Sequence, residues 1–355
     1  MDKLRVLLLG AAFSADLHVD AYARNRDRVE IAGIADLDAG RVKSLAERYG
    51  FENYRRYGDF KEAIELCDCD LVDICLPNFL HYKPAILALN KGRNVICEKP
   101  LATTVERARE MVGCARRAGR HIYYAEDWLF APAVRKALEI VRGGGIGELQ
   151  YMRARECHGG SHSPFAQKIE YCGGGAMIHL GIHPIALALA VGDGAWTEVV
   201  AMASPGGAGN MRHKTLEGED WAAALIRFAG DSAALVEANY LTCGGMEDVI
   251  DFYGTKGRLH VDLTFSSALN CFSVDGLDYT VEKAEITTGW SKPAVDEKHN
   301  LGYVSEITDF IGRALRNEPA GPGTRGEDGL AALALADCIY RSAHEGAAVK
   351  NPELG

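Results

Sequence analysis

Lys99 stands between Glu98 and Pro100, directly after the apolar run Val95-Ile96-Cys97. A lysine at the C-terminal end of a buried strand is costly to bury unless something pairs with its charge. Taken alone, Lys99 reads as a solvated surface residue. Partly buried, such a group has its pKa lowered toward neutrality, or stays charged and polarises an oxygen. His179 and His183 stand four residues apart in "GGGAMIHLGIH" (173–183). On one helix that spacing gives a shared face, with Cβ atoms about 5–6 Å apart. Histidine needs little shift to exchange a proton near neutral pH. Lysine and histidine acting together would suit chemistry at a hydroxyl group.

Something must position these residues. Apolar, β-branched runs occur at 4–10, 29–36, 71–77, 94–98 and 121–126, with amphipathic stretches such as 39–49 and 103–117 between them. Continuous apolar runs alternating with helical patterns indicate a parallel sheet covered on both faces. After residue 126 the rhythm changes. A helix spans about 133–142, a strand 149–157, and another helical stretch starts near Gly175. Alternating strands follow at 221–229, 233–241, 249–255 and 257–263, the first and second pairs joined by "AGDS" and "TKG". Short turns of this kind join antiparallel strands. Two helices end the pattern, at about 303–317 and 327–346. The expected domains are 1–125 and 126–355.

The first run ends in "GAAFSADLH", where Gly10, Ala12 and Ala15 take the G-x-G-x-x-G/A spacing around Phe13 and Ser14. That motif combines a tight turn, close approach to a pyrophosphate and close helix–strand packing. Alanine at the second place narrows the room for phosphate, and a plain strand-to-helix turn reads the motif equally well. Asp36 ends the second run, where a carboxylate accepts hydrogen bonds from the ribose hydroxyls of NAD and repels the 2′-phosphate of NADP. The expected fold is thus α/β: an N-terminal Rossmann doubly wound parallel sheet, then a C-terminal α+β domain with a large, mostly antiparallel open sheet.

The balance of 39 basic and 49 acidic residues gives a formal charge of −10, with 48% hydrophobic and 25% charged residues. That argues against nucleic acid as a main partner. No apolar run approaches the ~18 residues of a membrane span, so no membrane is expected. The opening "MDKLRVLLLGAAFSAD" has the order of a short signal peptide, but strand, glycine turn and helix start describe it better. Ten scattered cysteines, without a C-x-x-C, point to a reducing, cytoplasmic setting.

"LPNFLHYKPAILALNKGRNVICEKPL" (76–101) is far more specific, and here the chain resembles the Gfo/Idh/MocA family of NAD(P)-dependent oxidoreductases. The resemblance runs on through 173–183, "EDVIDFYGTKGRLHVD" (247–262) and "GEDGLAALALADCIYRSAHEG" (326–346). It implies that Lys99 lies beside the nicotinamide and the substrate hydroxyl, with Glu98 and Pro100 setting its backbone. It implies that Leu76, Pro77, Asn78 and His81 line the cofactor side, and that His183 is a general acid/base. Where the family commonly has aspartate, this chain has His179. That residue replaces the aspartate as substrate ligand and relay, or is a packed histidine, or belongs to a divalent-metal site with Glu126, His158, His162 and His183; the first reading is the one adopted, and no metal is expected.

Asp127, Trp128, His158 and His162 complete the substrate-binding candidates. Trp128 is suited to stacking on a sugar ring or to core packing. The function expected is NAD-dependent oxidation of a secondary hydroxyl of a sugar, cyclitol or glycoside. The alternatives are glycoside cleavage through transient oxidation by retained NAD, and a non-catalytic nucleotide-binding regulator. Apolar alternation on the second-domain sheet suggests a homodimer or homotetramer.

Overall fold

The computed structural model describes residues 3–161, 163–264, 269–277 and 287–352. His162 lies outside them. The chain divides into two compact units: Met1–Asp127 with Gly302–Leu333, and Trp128–Leu301 with Ala334–Gly355. The expected single break at 125/126 differs from this division, because a later segment returns to the first unit.

The first unit alternates strand and helix: β1 (Leu4–Leu9), α1 (Phe13–Arg24), β2 (Val29–Ala35), α2 (Ala39–Tyr49), β3 (Arg55–Tyr57), α3 (Phe60–Leu66), β4 (Leu71–Ile74), α4 (Tyr82–Asn90), β5 (Asn94–Cys97), α5 (Val105–Ala118) and β6 (Ile122–Tyr124). The sheet is parallel, in the order β3-β2-β1-β4-β5-β6. This is the doubly wound dinucleotide-binding order, whose ligands bind beyond the carboxyl ends of the strands. Its central strands are buried on both faces, which is why they read as apolar runs. Helix ends are set locally: Asp38, Asp59 and Thr104 cap α2, α3 and α5, and Gly50 and Gly119 end α2 and α5 in the left-handed conformation.

In the second unit, α6 (Pro132–Arg142) and β7 (Leu149–His158) come first, followed by α7 (Ile169–Cys172), α8 (Ala176–His179) and α9 (Ile182–Val191). The strands β8 (Trp196–Ala203), β9 (Trp221–Phe228), β10 (Ala233–Asn239), β11 (Met246–Gly254) and β12 (Gly257–Asp262) complete most of a large sheet. A small hairpin, β13 (Cys271–Ser273) with β14 (Gly289–Ser291), and α10 (Glu297–Asn300) follow. Next come α11 (Tyr303–Arg316) of the first unit, α12 (Gly326–Glu345), within which the division between the units falls, and β15 (Val349–Lys350). The large sheet has the order β12-β11-β7-β10-β9-β8-β15. Its pairs are antiparallel except β7 with β10. Inner positions such as Ala222, Ala224, Ile226, Ala234, Val236 and Ala238 are buried, and residues between them face outward.

Helix α11 belongs with the nucleotide-type sheet because it packs on α1, where Asn25 Nδ2 donates to Thr308 Oγ1 at 2.9 Å. Tyr123 meets Phe310 with ring centroids 5.4 Å apart, and the Tyr124 amide donates to the Thr324 carbonyl at 2.8 Å. No disulfide forms among the described residues. Among them, no single helix is long and apolar enough to cross a membrane.

Candidate active site

Gly10 turns the chain from β1 toward α1 with φ +100°, and a Cβ there would lie 2.4 Å from the Cys75 carbonyl oxygen. Ala12 is the extended N-cap residue of α1 and supplies no side-chain cap to the first turn of the helix. Ala15 is buried, Phe13 is exposed and Ser14 is half-buried. The Asp36 carboxylate follows β2 and accepts the Ala11 amide at 2.9 Å through Oδ2 and the Asp38 amide at 2.8 Å through Oδ1. Those two bonds fix an acidic group beside the glycine turn. A tight turn, a helix start without a side-chain cap and a placed carboxylate fit a dinucleotide.

Loops after β4, β5 and β6 hold the remaining candidates of this unit. His81 ties them together: its Nδ1 lies 2.8 Å from the Pro100 carbonyl oxygen and its Nε2 2.8 Å from that of Leu76. Burial pushes the pKa of His81 down, against the pull of those two carbonyls. Both ring nitrogens are engaged by backbone, so the part of His81 in the site is to brace the half-buried Leu76, Pro77 and Asn78 against the turn at Pro100. Lys99 is half-buried, precedes a cis peptide to Pro100, and donates its amide to Glu98 Oε2 at 3.0 Å. Glu126 and Asp127 follow β6 and are both buried.

Glu98 is buried, which alone would raise its pKa. His18, and next the Lys99 charge, outweigh that and carry it from 4.5 down to about 2. A carboxyl depressed on folding contributes stability that is complete above its unfolded value and lost as pH falls through its folded one. The contribution is about 3 kcal/mol. The wild-type urea midpoint is therefore expected to fall between pH 4.5 and 2, and that of Glu98→Gln to fall by less over the same window. Parallel curves would remove Glu98 from the acid response.

In the second unit, three consecutive glycines let the chain pass close to its neighbours. A Cβ on Gly174 would meet the Tyr340 hydroxyl at 2.3 Å, and one on Gly175 the Glu219 carbonyl at 2.1 Å. Glu219 then takes the Gly175 amide at 3.1 Å, the Met177 amide at 2.8 Å and the Tyr340 hydroxyl at 2.9 Å. These contacts set α8, and with it His179. The His179 Nδ1 lies 2.5 Å from the Tyr240 hydroxyl and its Nε2 3.4 Å from Ser161 Oγ. Burial holds the Tyr240 pKa well above its ordinary value, so the phenol keeps its proton and either donates to Nδ1 or accepts from it, according to the ring's tautomer. An aspartate at this place would only accept; a histidine is also able to donate.

His183 is buried near the start of α9, its Nε2 3.7 Å from Glu156 Oε2. The carboxylate stands where it compensates the charge that the ring gains on taking a proton. Trp128 is 2% exposed and stacks on His183 at 5.7 Å, so the indole packs on a candidate catalytic ring instead of presenting an open face. His158 is buried, accepts the Gly160 amide at 3.0 Å through Nδ1, and stacks on Tyr240 at 5.4 Å. His158 and His179 lie 6.3 Å apart, ring to ring, with Tyr240 touching both.

Sequence reasoning missed Tyr240, Glu156, Glu219 and His18. Tyr240 follows β10 directly and Glu156 sits in the last turn of alternation in β7; the signal available was a polar side chain on an inward position of a strand.

The chain has clear relatives. Residues 4–126 match the Gfo/Idh/MocA oxidoreductase family, NAD-binding Rossmann fold, and residues 134–260 match the Gfo/Idh/MocA C-terminal domain. The D-glucoside 3-dehydrogenase of Escherichia coli (strain K12) is 35% identical over 191 residues, covering 53% of this chain and 54% of that protein, so the match spans about half its length. The levoglucosan dehydrogenase of Pseudarthrobacter phenanthrenivorans is 27% identical over the whole of both chains. The crystal structure of GenD2 from gentamicin A biosynthesis in complex with NAD superimposes with a TM-score of 0.88 at 24% identity, covering 99% of this chain and 97% of that one; the likeness is one of fold. On the two matched domains, which together span most of its length, the chain belongs to the Gfo/Idh/MocA family of oxidoreductases.

Proposed function

We propose that the protein is an NAD-dependent dehydrogenase that oxidises a secondary hydroxyl of a sugar, cyclitol or glycoside, or reduces the matching ketone. The observation that carries this reading is Lys99, held in the turn after β5 of a dinucleotide-type sheet by Glu98 and the His81 brace. Relatives named for a glucoside and for levoglucosan support the substrate class.

Gly10, Ala12, Phe13, Ser14 and Ala15 would hold the pyrophosphate of NAD, Asp36 its ribose, and Leu76, Pro77, Asn78 and the Glu98-Lys99-Pro100 turn the nicotinamide end. NAD, when bound, supplies the hydride acceptor. Lys99 steadies the negative charge that develops on the substrate oxygen. His183 takes the hydroxyl proton, and Glu156 offsets the resulting imidazolium. His179 offers its Nε2 to a substrate oxygen, with Nδ1 engaged by Tyr240. Asp127 and His158 are the remaining polar candidates for substrate hydroxyls. The Val200 and Leu225 side chains, 48% and 51% exposed and paired across β8 and β9, with Met202 at 69%, give the sheet an apolar outer face suited to a second copy of the chain.

A second reading keeps the same residues but retains NAD and couples a transient oxidation to elimination. The Tyr240–His179 pair favours it by adding acid/base capacity beside His183. Absorbance at 340 nm with a panel of sugars, inositols and glycosides separates the two. Sustained growth with NAD, preferred over NADP by about 10-fold or more because Asp36 repels the 2′-phosphate, supports a dehydrogenase. A flat trace with release of aglycone supports the second reading, and silence on both counts overturns the first.

A further inference from the structure

Helix α1 carries a histidine that the reaction above leaves unused. His18 is fully enclosed, and its two ring nitrogens face two different carboxylates: Nδ1 lies 2.9 Å from Asp73 Oδ2 and Nε2 3.2 Å from Glu98 Oε1. Asp73 also accepts the Tyr22 hydroxyl at 2.8 Å. The second oxygen of Glu98 takes the Lys99 amide at 3.0 Å. One line of contacts therefore runs from Tyr22 through Asp73, His18 and Glu98 to the backbone of Lys99.

We propose that His18 is a positioning residue for Lys99: bridging Asp73 and Glu98, it holds Glu98 in the setting from which that side chain fixes the Lys99 backbone. This rests on the role given to Lys99 above. Nδ1 is hydrogen-bonded to Asp73, while Nε2 faces Glu98 Oε1 at ion-pair distance without a hydrogen bond of its own; two buried carboxylates with no cation between them would be strongly unfavourable.

The surroundings agree with a charged His18. Burial works against its protonation, but the charge and hydrogen bond of Asp73 overcome that and hold its pKa well above the ordinary value. Burial keeps the neighbouring Cys75 and Tyr22 protonated and therefore uncharged. From α11, Glu306 faces the group with its Oε1 unbonded; burial, and next the Asp127 charge, push its pKa well up, so it remains neutral. His81 and Tyr124 also face Glu98 and are held neutral by burial. The carboxylates in direct contact with His18 are those of Asp73 and Glu98; Asp127 and Glu126 act on the group from farther off, through Glu306 and Tyr124.

Two measurements on the full chain test this. In 15N-histidine-labelled protein, the His18 ring, assigned by its loss in His18→Gln, is expected to stay doubly protonated at pH 7, where an ordinary histidine has lost its proton, and to lose it at lower pH in Glu98→Gln. The Lys99 amide resonance is expected to move in His18→Gln. A ring that is neutral at pH 7, or a stationary Lys99 amide, overturns the proposal whether or not a substrate has been found. If His18→Gln does not fold, Asp73→Asn replaces it, with the same expected fall in the His18 titration.

The kinetic arm needs a substrate turned over by the wild type; its absence would count against the dehydrogenase reading and leave the spectroscopic outcome in force. Here His18→Gln is expected to lower kcat about 10-fold or more with NAD affinity within about 2-fold. Its acid limb moves to higher pH, because Glu98 without its cation binds a proton more readily. The double variant with Glu98→Gln is no slower than Glu98→Gln alone, as expected of residues acting through one another. Losses that add, with an unmoved pH profile, would show packing only and overturn the proposal.

Discussion

Lys99→Met is expected to lower kcat by about 10³-fold, in the upper part of the range for a positioned acid, base or electrophile, with NAD affinity nearly unchanged. Methionine keeps the length and apolar stem of lysine and removes only the charge. The turn should survive, because Glu98 accepts from the Lys99 main-chain amide, a bond that does not involve Nζ. The His81 brace on Pro100 is likewise made to backbone. What is lost is the cation beside the developing oxygen charge, an interaction that matters most in the transition state. Steady-state turnover, set beside an NADH fluorescence titration, makes the test. Turnover within about 3-fold of wild type would remove Lys99 from the chemistry, since the effects ascribed to such groups start near 10². Equal losses in turnover and binding would make it a cofactor residue.

Gly10→Ala is expected to damage both stability and NAD binding. The residue has φ +100°, and the added Cβ would meet Cys75 O at 2.4 Å and Cys75 C at 3.0 Å. Neither neighbour can step aside freely: the Gly10 amide is bonded to Ala35 O at 2.8 Å and the Cys75 amide to Leu9 O at 2.9 Å, so all three strand ends are tied. Left-handed backbone costs an L residue about 1–2 kcal/mol, and overpacking adds about 1–3 kcal/mol. Against a total of about 5–15 kcal/mol, that is a large share. A Tm lower by about 5–15 °C, with NAD affinity down about 10-fold or more, would follow. An unchanged Tm would mean that the β1 turn relaxes without breaking the strand ends.

The parallel sheet was legible because strands buried on both sides are apolar from end to end. β3 was not: "RRY" at a sheet edge has one buried residue in three and no apolar run. β8, "WTEVVAMA", escaped because its outward positions include Val200 and Met202, which blur the alternation. In the candidate site, residues that announce themselves by local company were readable, as Lys99 is between Glu98 and Pro100. The groups that set their state were not. Asp73 hides inside "LVDI", and its partner His18 lies 55 residues earlier. Tyr240 meets the His179 ring from 61 residues away. Pairings of that range come from the topology, and no window of sequence contains them. Trp128 shows the converse: its type suggested a sugar platform or core packing, and its stacking on His183 of α9 is a contact 55 residues apart.

The return of residues 302–333 to the first unit bears on how the molecule is made. Emerging from the ribosome, β1 to β6 can pair in order, yet the α1 surface that receives α11 stays bare until some 180 further residues have been synthesised. Asn25 has no Thr308 to bond, Phe310 is absent from Tyr123, and Glu306 has not joined the carboxylates around His18. The half-built first unit waits while β7 to β12 of the second sheet are translated. Its completion late in synthesis gives the nascent chain a long-range closure step, of the kind that slows folding and invites chaperones.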